Sequence, residues 1–244
     1  NGADFRMDPA VPLVVPEINP EAIAVHSGII ANPNCSTIQM VMALAPLHRT
    51  ARIRRVIVAT YQAVSGTGRE AIKELKEQAP RYLAGEREFA PSAYPYRIAF
   101  NLIPQIGSFE KLDFTTEEWK MDRETKKILH DDSIEVSATT IRVPVFNVHS
   151  EAVYLETEQP LSVGAAREIL AAAPGVVLMD DPAKKLYPMP LSADGRDEVF
   201  VGRIRADPYA KNGLHLWVVA DNIRKGAASN VVQIAERMIA DGLV

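Results

Sequence analysis

Cysteine is nearly absent. Cys35 is the only one in 244 residues, so no disulfide can close within the chain, and the composition suits a reducing compartment such as the cytoplasm. No apolar run approaches the roughly 20 residues that a membrane-spanning helix needs. Neither sign of charge dominates. Lys and Arg number 27 against 31 Asp and Glu, for a formal net charge of −4, which leaves no basic footprint for nucleic acid or an anionic membrane. Internal repeats and low-complexity segments are missing, and no metal site is expected. Glycine clusters are scarce as well. The one candidate, Gly66-Thr67-Gly68-Arg69-Glu70-Ala71, matches the loose G-x-G-x-x-A dinucleotide fingerprint. That fingerprint needs a second buried parallel strand, ending in an acid, after its helix. Here the helix runs toward Pro80 and a polar loop, so the sequence shows no nucleotide-binding half. What is present is ordinary globular material, 47% hydrophobic and 24% charged, enough for one large domain or two small ones.

Residues 1–30 combine proline with short apolar pieces (Val11-Pro12-Leu13-Val14-Val15-Pro16) and read as loops and short strands. The spacing predicts a helix over 36–48, ended near Pro46, and a strand from Arg52 to Ser65 built on β-branched Val56, Ile57 and Val58. A helix over Arg69–Glu77 follows, then a loop over 79–95 and a strand candidate from Arg97 to Ile103. Thr115 or Thr116 caps the next helix, whose first turn carries Glu117 and Glu118 and which runs to about Leu129. Strands are predicted over Ser137–Val148 and Ala152–Glu158, a helix over 162–172, and a strand over 175–179. Val199–Arg205 and Leu214–Ala220 read as paired strands beyond a loop at 180–198. The last helix, 226–241, carries a stripe of Val231, Ile234, Ala235, Met238 and Ile239. Consecutive strands without an intervening helix imply antiparallel pairing, so the fold class is α+β with a large mixed, mainly antiparallel sheet and helices on one face.

The stretch most able to carry chemistry is Asn32-Pro33-Asn34-Cys35-Ser36-Thr37. Asn34 reads as a helix N-cap, which puts Cys35 on a first turn whose backbone N–H groups lack intrahelical partners. There the helix dipole favours a thiolate and the N–H groups can hold an oxyanion. The plain alternative is an ordinary buried cysteine. A cysteine nucleophile needs a proton acceptor from elsewhere in the fold. Among five histidines, His26, His48 and His130 sit in polar or loop-like contexts; His149 and His215 lie on predicted strands, and spacing does not choose between them. Arg142, read on the same strand as His149, is a cation among apolar neighbours and calls for an anion. Glu117 and Lys120 are three apart on one helix face, where a plain surface ion pair is the bland reading. Arg6 is another cation in partly apolar company, and Gln62 follows Tyr61 at a strand end.

Taken together, these residues resemble aspartate-β-semialdehyde dehydrogenases of the common bacterial type. The likeness runs from Asn1-Gly2-Ala3-Asp4-Phe5-Arg6-Met7-Asp8 through Asn32 to Cys35, Tyr61 to Gly66, Glu117-Glu118-Trp119-Lys120, Arg142 to Glu151, Gly202 to Arg205, Gly213 to Asn222 and Lys225-Gly226-Ala227-Ala228. The resemblance implies Cys35 as nucleophile, His149 rather than His215 as general acid/base, and Gln62 orienting the acyl intermediate. Arg142 would bind the substrate α-carboxylate and Glu117 its amino group. Lys120 and Arg6 would receive phosphate with Asn34 nearby, and Ser65, Gly66 and Asn222 would face the nicotinamide end of NADP. It further implies a C-terminal domain of the glyceraldehyde-3-phosphate dehydrogenase-like kind, divided as a 1–33 remnant of a nucleotide-binding domain and linker, a 34–224 catalytic and dimerisation domain, and a 225–244 helix that returns to the nucleotide domain. The front of the family's nucleotide domain is missing before Asn1, so the helix stripe is expected to lack part of its cover.

The implied activity is NADPH-dependent reductive dephosphorylation of L-aspartyl-4-phosphate to aspartate semialdehyde through a cysteine thioester, a step of lysine, threonine, methionine and diaminopimelate biosynthesis, in a homodimer or dimer of dimers. Two other readings stand beside it. The chain alone could be a non-catalytic dimerisation module, or a cysteine acyl-transferase or hydrolase using Cys35 and His149 without nucleotide. The last leaves Arg142, Glu117 and Lys120 without a joint purpose.

Overall fold

Alternating buried and exposed β-branched residues draw Ile53–Gln62 (β1) into the middle of a six-stranded sheet, flanked by Glu135–Arg142 (β2) and His149–Thr157 (β3). The computed structural model describes residues 3–90 and 92–243; Asn1 and Gly2, the start of the stretch that carries the family likeness, lie outside the described residues. Val176–Leu178 (β4), Val199–Ala206 (β5) and Gly213–Ala220 (β6) complete the order β2-β1-β3-β6-β5-β4. The β1/β3, β3/β6 and β5/β6 pairs are antiparallel and β1/β2 and β4/β5 parallel, which is the mixed, mainly antiparallel sheet that the sequence predicts.

Cys35–Ala51 (α1) lies on the inner face with almost every side chain buried. Around it pack Thr116–Leu129 (α3) beside β2 and Val163–Ala171 (α4) beside β4 and β5, while Arg69–Leu83 (α2) folds over a satellite cluster of its own. A four-residue helix Pro190–Ala193 (α5) and the C-terminal Ser229–Ala240 (α6) complete the set.

The sheet is graded along its strands, and the gradient locates the site. In register lie Val56, Val136 and Leu155, then Val58, Ala138 and Val153, all facing α1. The next row is polar: Thr60 pairs with Thr140 on one side and Glu151 on the other. One step further Gln62 pairs with Arg142, and His149 starts the neighbouring strand. The dry core therefore gives way to hydrogen-bonding side chains beneath the N-terminus of α1.

Several predicted boundaries move, each for a physical reason. The first helix does not end at Pro46 but continues to Ala51, because burial of Met42 to Ala45, Leu47 and Ala51 outweighs the ~3 kcal/mol cost of an internal proline. Likewise α2 passes Pro80 and ends at Leu83. Arg97–Ile103 is not a strand: Gln78 Oε1 accepts the Ile98 and Ala99 N–H groups at 3.0 and 3.2 Å, Phe100 has φ +55°, and only Ile103 bridges to Arg142. Nor does one strand carry both Arg142 and His149. Pro144 and the +75° φ of Val148 break the run, so the two end and begin separate strands on either side of β1. The last helix begins at Ser229, after a wide turn at Arg224–Ala228 in which Ala228 N–H reaches Ile223 O at 2.9 Å. Its stripe is half covered: Ile234 and Met238 pack on Val14 and Ile23, while Val231 and Ile239 are 48% and 67% exposed.

Candidate active site

Asn34 is the N-cap of α1, as its sequence context predicts. Its Oδ1 accepts the N–H groups of Ser36 and Thr37 at 3.0 and 3.2 Å, and Cys35 stands as the first helical residue. The cap thus occupies two of the N–H groups expected to be open to an oxyanion. Cys35 is half-buried at a cavity of about 630 Å³. Every sequence-assigned site residue except His149 lines that cavity: Arg6, Asn34, Cys35, Gln62, Ser65, Gly66, Glu117, Lys120, Arg142 and Asn222. Residues up to 216 positions apart in sequence meet there because the end of β1, the end of β2 and the start of α1 converge at the polar edge of the sheet.

Glu117 is the hub of the polar wall. Its Oε1 accepts from Asn34 Nδ2 at 2.8 Å and from Gln62 Nε2 at 3.4 Å, and its Oε2 accepts from Lys120 Nζ at 3.2 Å. Thr115 fixes the start of that helix by a full capping box with Glu118. The Glu117–Lys120 pair is therefore no plain surface pair, since Glu117 is buried inside the cavity wall. Arg142 is 4% exposed; its Nη1 donates to Ala63 O at 2.6 Å while its Nε has no partner. Ser65 Oγ and Asn222 exchange hydrogen bonds at 3.0 and 3.1 Å, and Asn222 Oδ1 also accepts the Val148 N–H at 3.0 Å, which pins the strained residue before His149.

His149 lies one layer behind the cavity and is fully buried. Gly66 is the wall between them: a Cβ there would stand 3.1 Å from His149 Nε2 and 2.9 Å from Arg142 Nη1. The Ala63 N–H donates to His149 Nδ1 at 3.1 Å, so the neutral ring carries its proton on Nε2, which has no partner. Burial, reinforced by the Arg142 guanidinium, holds this imidazole well below its usual range, and it is neutral. His215, the other strand histidine, lies on the opposite face against Tyr154 and pairs with Asp207 at 3.0 Å. Cys35 departs from expectation. Burial first, and the Glu117 carboxylate second, push its thiol up to about 12, against the lowering effect of Arg142.

Sequence reasoning missed three neighbours. Glu124, on α3, accepts from Arg6 and from the Asn34 N–H. Gly226 approaches Cys35 so closely that a Cβ would lie 3.0 Å from the cysteine Cβ. Glu151 is fully buried two residues past His149. The spacing of Glu117, Lys120 and Glu124 on one helix face is the signal that points to Glu124. Among the described residues no group of three or more His, Cys, Asp or Glu could hold a metal ion, and no helix is long and apolar enough to cross a membrane.

The family model described as "Semialdehyde dehydrogenase, dimerisation domain" matches residues 44–225. Aspartate-semialdehyde dehydrogenase of Aquifex aeolicus (strain VF5) is 55% identical over 246 residues, covering 100% of this chain and 72% of the relative. The crystal structure of aspartate semialdehyde dehydrogenase II from Vibrio cholerae, complexed with ASA, superposes with a TM-score of 0.95 at 47% identity, covering 99% of this chain and 71% of that one. The Candida albicans aspartate semialdehyde dehydrogenase with NADP superposes with a TM-score of 0.75 at 26% identity, covering 100% and 71%. The chain belongs to the aspartate-semialdehyde dehydrogenase family.

Proposed function

We propose that the protein reduces L-aspartyl-4-phosphate to aspartate semialdehyde and phosphate, with Cys35 as the covalent nucleophile and NADPH as reductant. The observation that supports this most is one cavity in which a helix-start cysteine meets Arg142, Lys120 and Arg6 around the buried Glu117. An acidic amino acid bearing a phosphate needs such a set, with one cation for the α-carboxylate, two for the phosphate and one carboxylate for the ammonium. The ASA named in the Vibrio cholerae structure and the NADP named with the Candida albicans one fit the same reading.

Arg142, held in place through Ala63 O, binds the α-carboxylate and Glu117 receives the ammonium. That ammonium also offsets the Glu117 charge, one of the two causes that keep the Cys35 thiol protonated, so substrate binding itself favours the thiolate. The thiol proton leaves to water in the open cavity as the sulfur attacks the acyl carbon; the Cys35 N–H holds the oxyanion, since Asn34 occupies the next two N–H groups, and Gln62 orients the acyl intermediate. The carbon–oxygen bond to phosphate breaks, and the leaving dianion passes to Lys120 and Arg6, giving a thioester. Ser65, Gly66 and Asn222 suit a flat ring, because a side chain at Gly66 would fill the surface in front of His149. A reduced nicotinamide bound there supplies the hydride that takes the thioester to the aldehyde level. His149, approached past Gly66 where no side chain stands in front of its Nε2, gives that proton to the oxygen of the resulting hemithioacetal and recovers it as the carbon–sulfur bond breaks and the aldehyde departs.

The test is the reverse assay in a protein of full family length: NADPH formation from aspartate semialdehyde, NADP and phosphate. Cys35→Ser is expected to abolish it, and a variant within about tenfold of wild type would refute the nucleophile. The acyl-transferase reading has no observation in its favour, as it leaves the phosphate cations unused. The working unit is proposed to be a homodimer or a dimer of dimers, in the cytoplasm.

A further inference from the structure

Glu124, a charged group 1% exposed behind the cavity wall, takes no part in the chemistry above. Its Oε1 accepts from Arg6 Nη1 at 3.0 Å, and its Oε2 accepts from the backbone N–H of Asn34 at 2.6 Å. Arg6 Nε is used as well, donating to Asn32 O at 2.8 Å. One buried carboxylate thus ties together the segment that carries Arg6, the N-cap that precedes Cys35, and α3. With Nε and one Nη committed, the plane of the Arg6 guanidinium is fixed. The rest of its five N–H donors remain for an anion in the cavity that Arg6 lines.

A buried ion pair is weak evidence for stability, because well-packed apolar residues of the same volume serve as well or better. Its retention beside a reactive cavity points to geometry. Glu117, Lys120 and Glu124 follow one another at i, i+3 and i+7 on α3, so the face that receives the substrate ammonium and phosphate also carries the group that aims Arg6. We infer that Glu124 is a positioning residue that couples phosphate capture by Arg6 to the placement of the Cys35 helix. This inference rests on the reading of Arg6 as a phosphate ligand.

The experiment is steady-state kinetics in the phosphate-consuming direction, on a protein of full family length, with Glu124→Gln. The expected result is a rise of about tenfold in KM for phosphate, with KM for aspartate semialdehyde changed less than twofold. A merely structural role would move Tm or both KM values together and leave their ratio alone. The inference is overturned if a folded Glu124→Gln protein keeps its phosphate KM, or if both constants rise in parallel. Glu124→Asp keeps the charge but is too short to reach both Arg6 and Asn34, so it is expected to give the same selective rise should the glutamine variant not fold. Arg6→Gln separates the two claims. If it leaves phosphate KM unchanged, the reading of Arg6 fails; if it raises that KM and Glu124→Gln does not, only the present inference fails. Adding Glu124→Gln to Arg6→Gln is expected to cost less than a further twofold, because one residue acts through the other.

Discussion

Cys35, the proposed nucleophile, has surroundings that hold its thiol protonated. A helix N-terminus favours an anion by about 0.3–1 kcal/mol, up to ~2 in buried geometry. Removal from water and the Glu117 charge together push the thiol from 9.0 up to about 12, which outweighs the dipole. Alkylation of the free protein by iodoacetamide is therefore expected to accelerate with pH through pH 10. A plateau below pH 9 would contradict this. Glu117→Gln removes the raising charge and should shift the alkylation profile to lower pH. Two further buried groups set the pH dependence of stability in opposite senses. Glu151 is raised well above its usual value by burial, with Gln39 only partly offsetting it, so the folded chain keeps a proton that the unfolded chain loses near 4.5. Its stabilisation is complete below that pH and is lost as pH rises toward the folded value. His149 does the reverse: the unfolded chain takes up a proton below 6.5 that the folded chain refuses, and stability falls with falling pH. Glu151→Gln should accordingly flatten the alkaline side of a Tm-versus-pH profile and raise Tm at pH 8; an unchanged profile would refute a protonated Glu151.

Elements meet at the site through close approaches that local patterns do not encode. The wide turn Arg224–Ala228 brings Gly226 against the first turn of α1, where an added Cβ would sit 3.0 Å from Cys35 Cβ and 3.4 Å from its Cα. The second of these is backbone and cannot swing aside. Gly226 lies in a helical turn and its φ is not positive, so alanine itself is well suited to the conformation, by up to ~1 kcal/mol. Gly226→Ala is thus expected to leave Tm within a few degrees and to lower kcat more than tenfold; equal activity would show that α1 yields. Where a boundary was set locally, the sequence revealed it: the start of α3 at Thr115 or Thr116 and its end at Leu129 were both legible. Where tertiary contacts decided, it was not. Pro46 and Pro80 read as stops but lie inside helices held by burial, and the 97–103 run reads as a strand although Gln78 takes its N–H groups. The family likeness named the side chains that one cavity brings together, with His149 behind it. It did not supply that Arg6 is paired with Glu124, 118 residues away, or that His149 stands behind Gly66, because such pairings carry no sequence signal of their own.

At the scale of the whole molecule the two faces of the sheet have different needs. The inner face is sealed by α1, α3 and α4, whereas the outer face presents the half-exposed Ile57 and the Tyr61–Trp217 ring pair, with Leu186 and Met189 exposed at its margin. Apolar surface of that kind suits a subunit contact, and the family model that matches residues 44–225 is described as a dimerisation domain. Nucleotide binding is different. In the proposed reading Ser65, Gly66 and Asn222 meet one end of a dinucleotide, but α2, after Gly66-Thr67-Gly68, does not lead straight to a strand: α3 intervenes before β2, the parallel neighbour of β1. Among the described residues no glycine-rich turn opens a helix onto a pyrophosphate, the part of a dinucleotide from which such sites draw much of their hold. Val231 of α6 lines the cavity and, like Ile239, is exposed. The 244-residue chain is therefore expected to sediment as a dimer while its fluorescence titration with NADPH shows no saturation at ~100 μM. Micromolar binding would mean that the catalytic end alone grips the cofactor, and a monomer would place the subunit contacts outside this sheet.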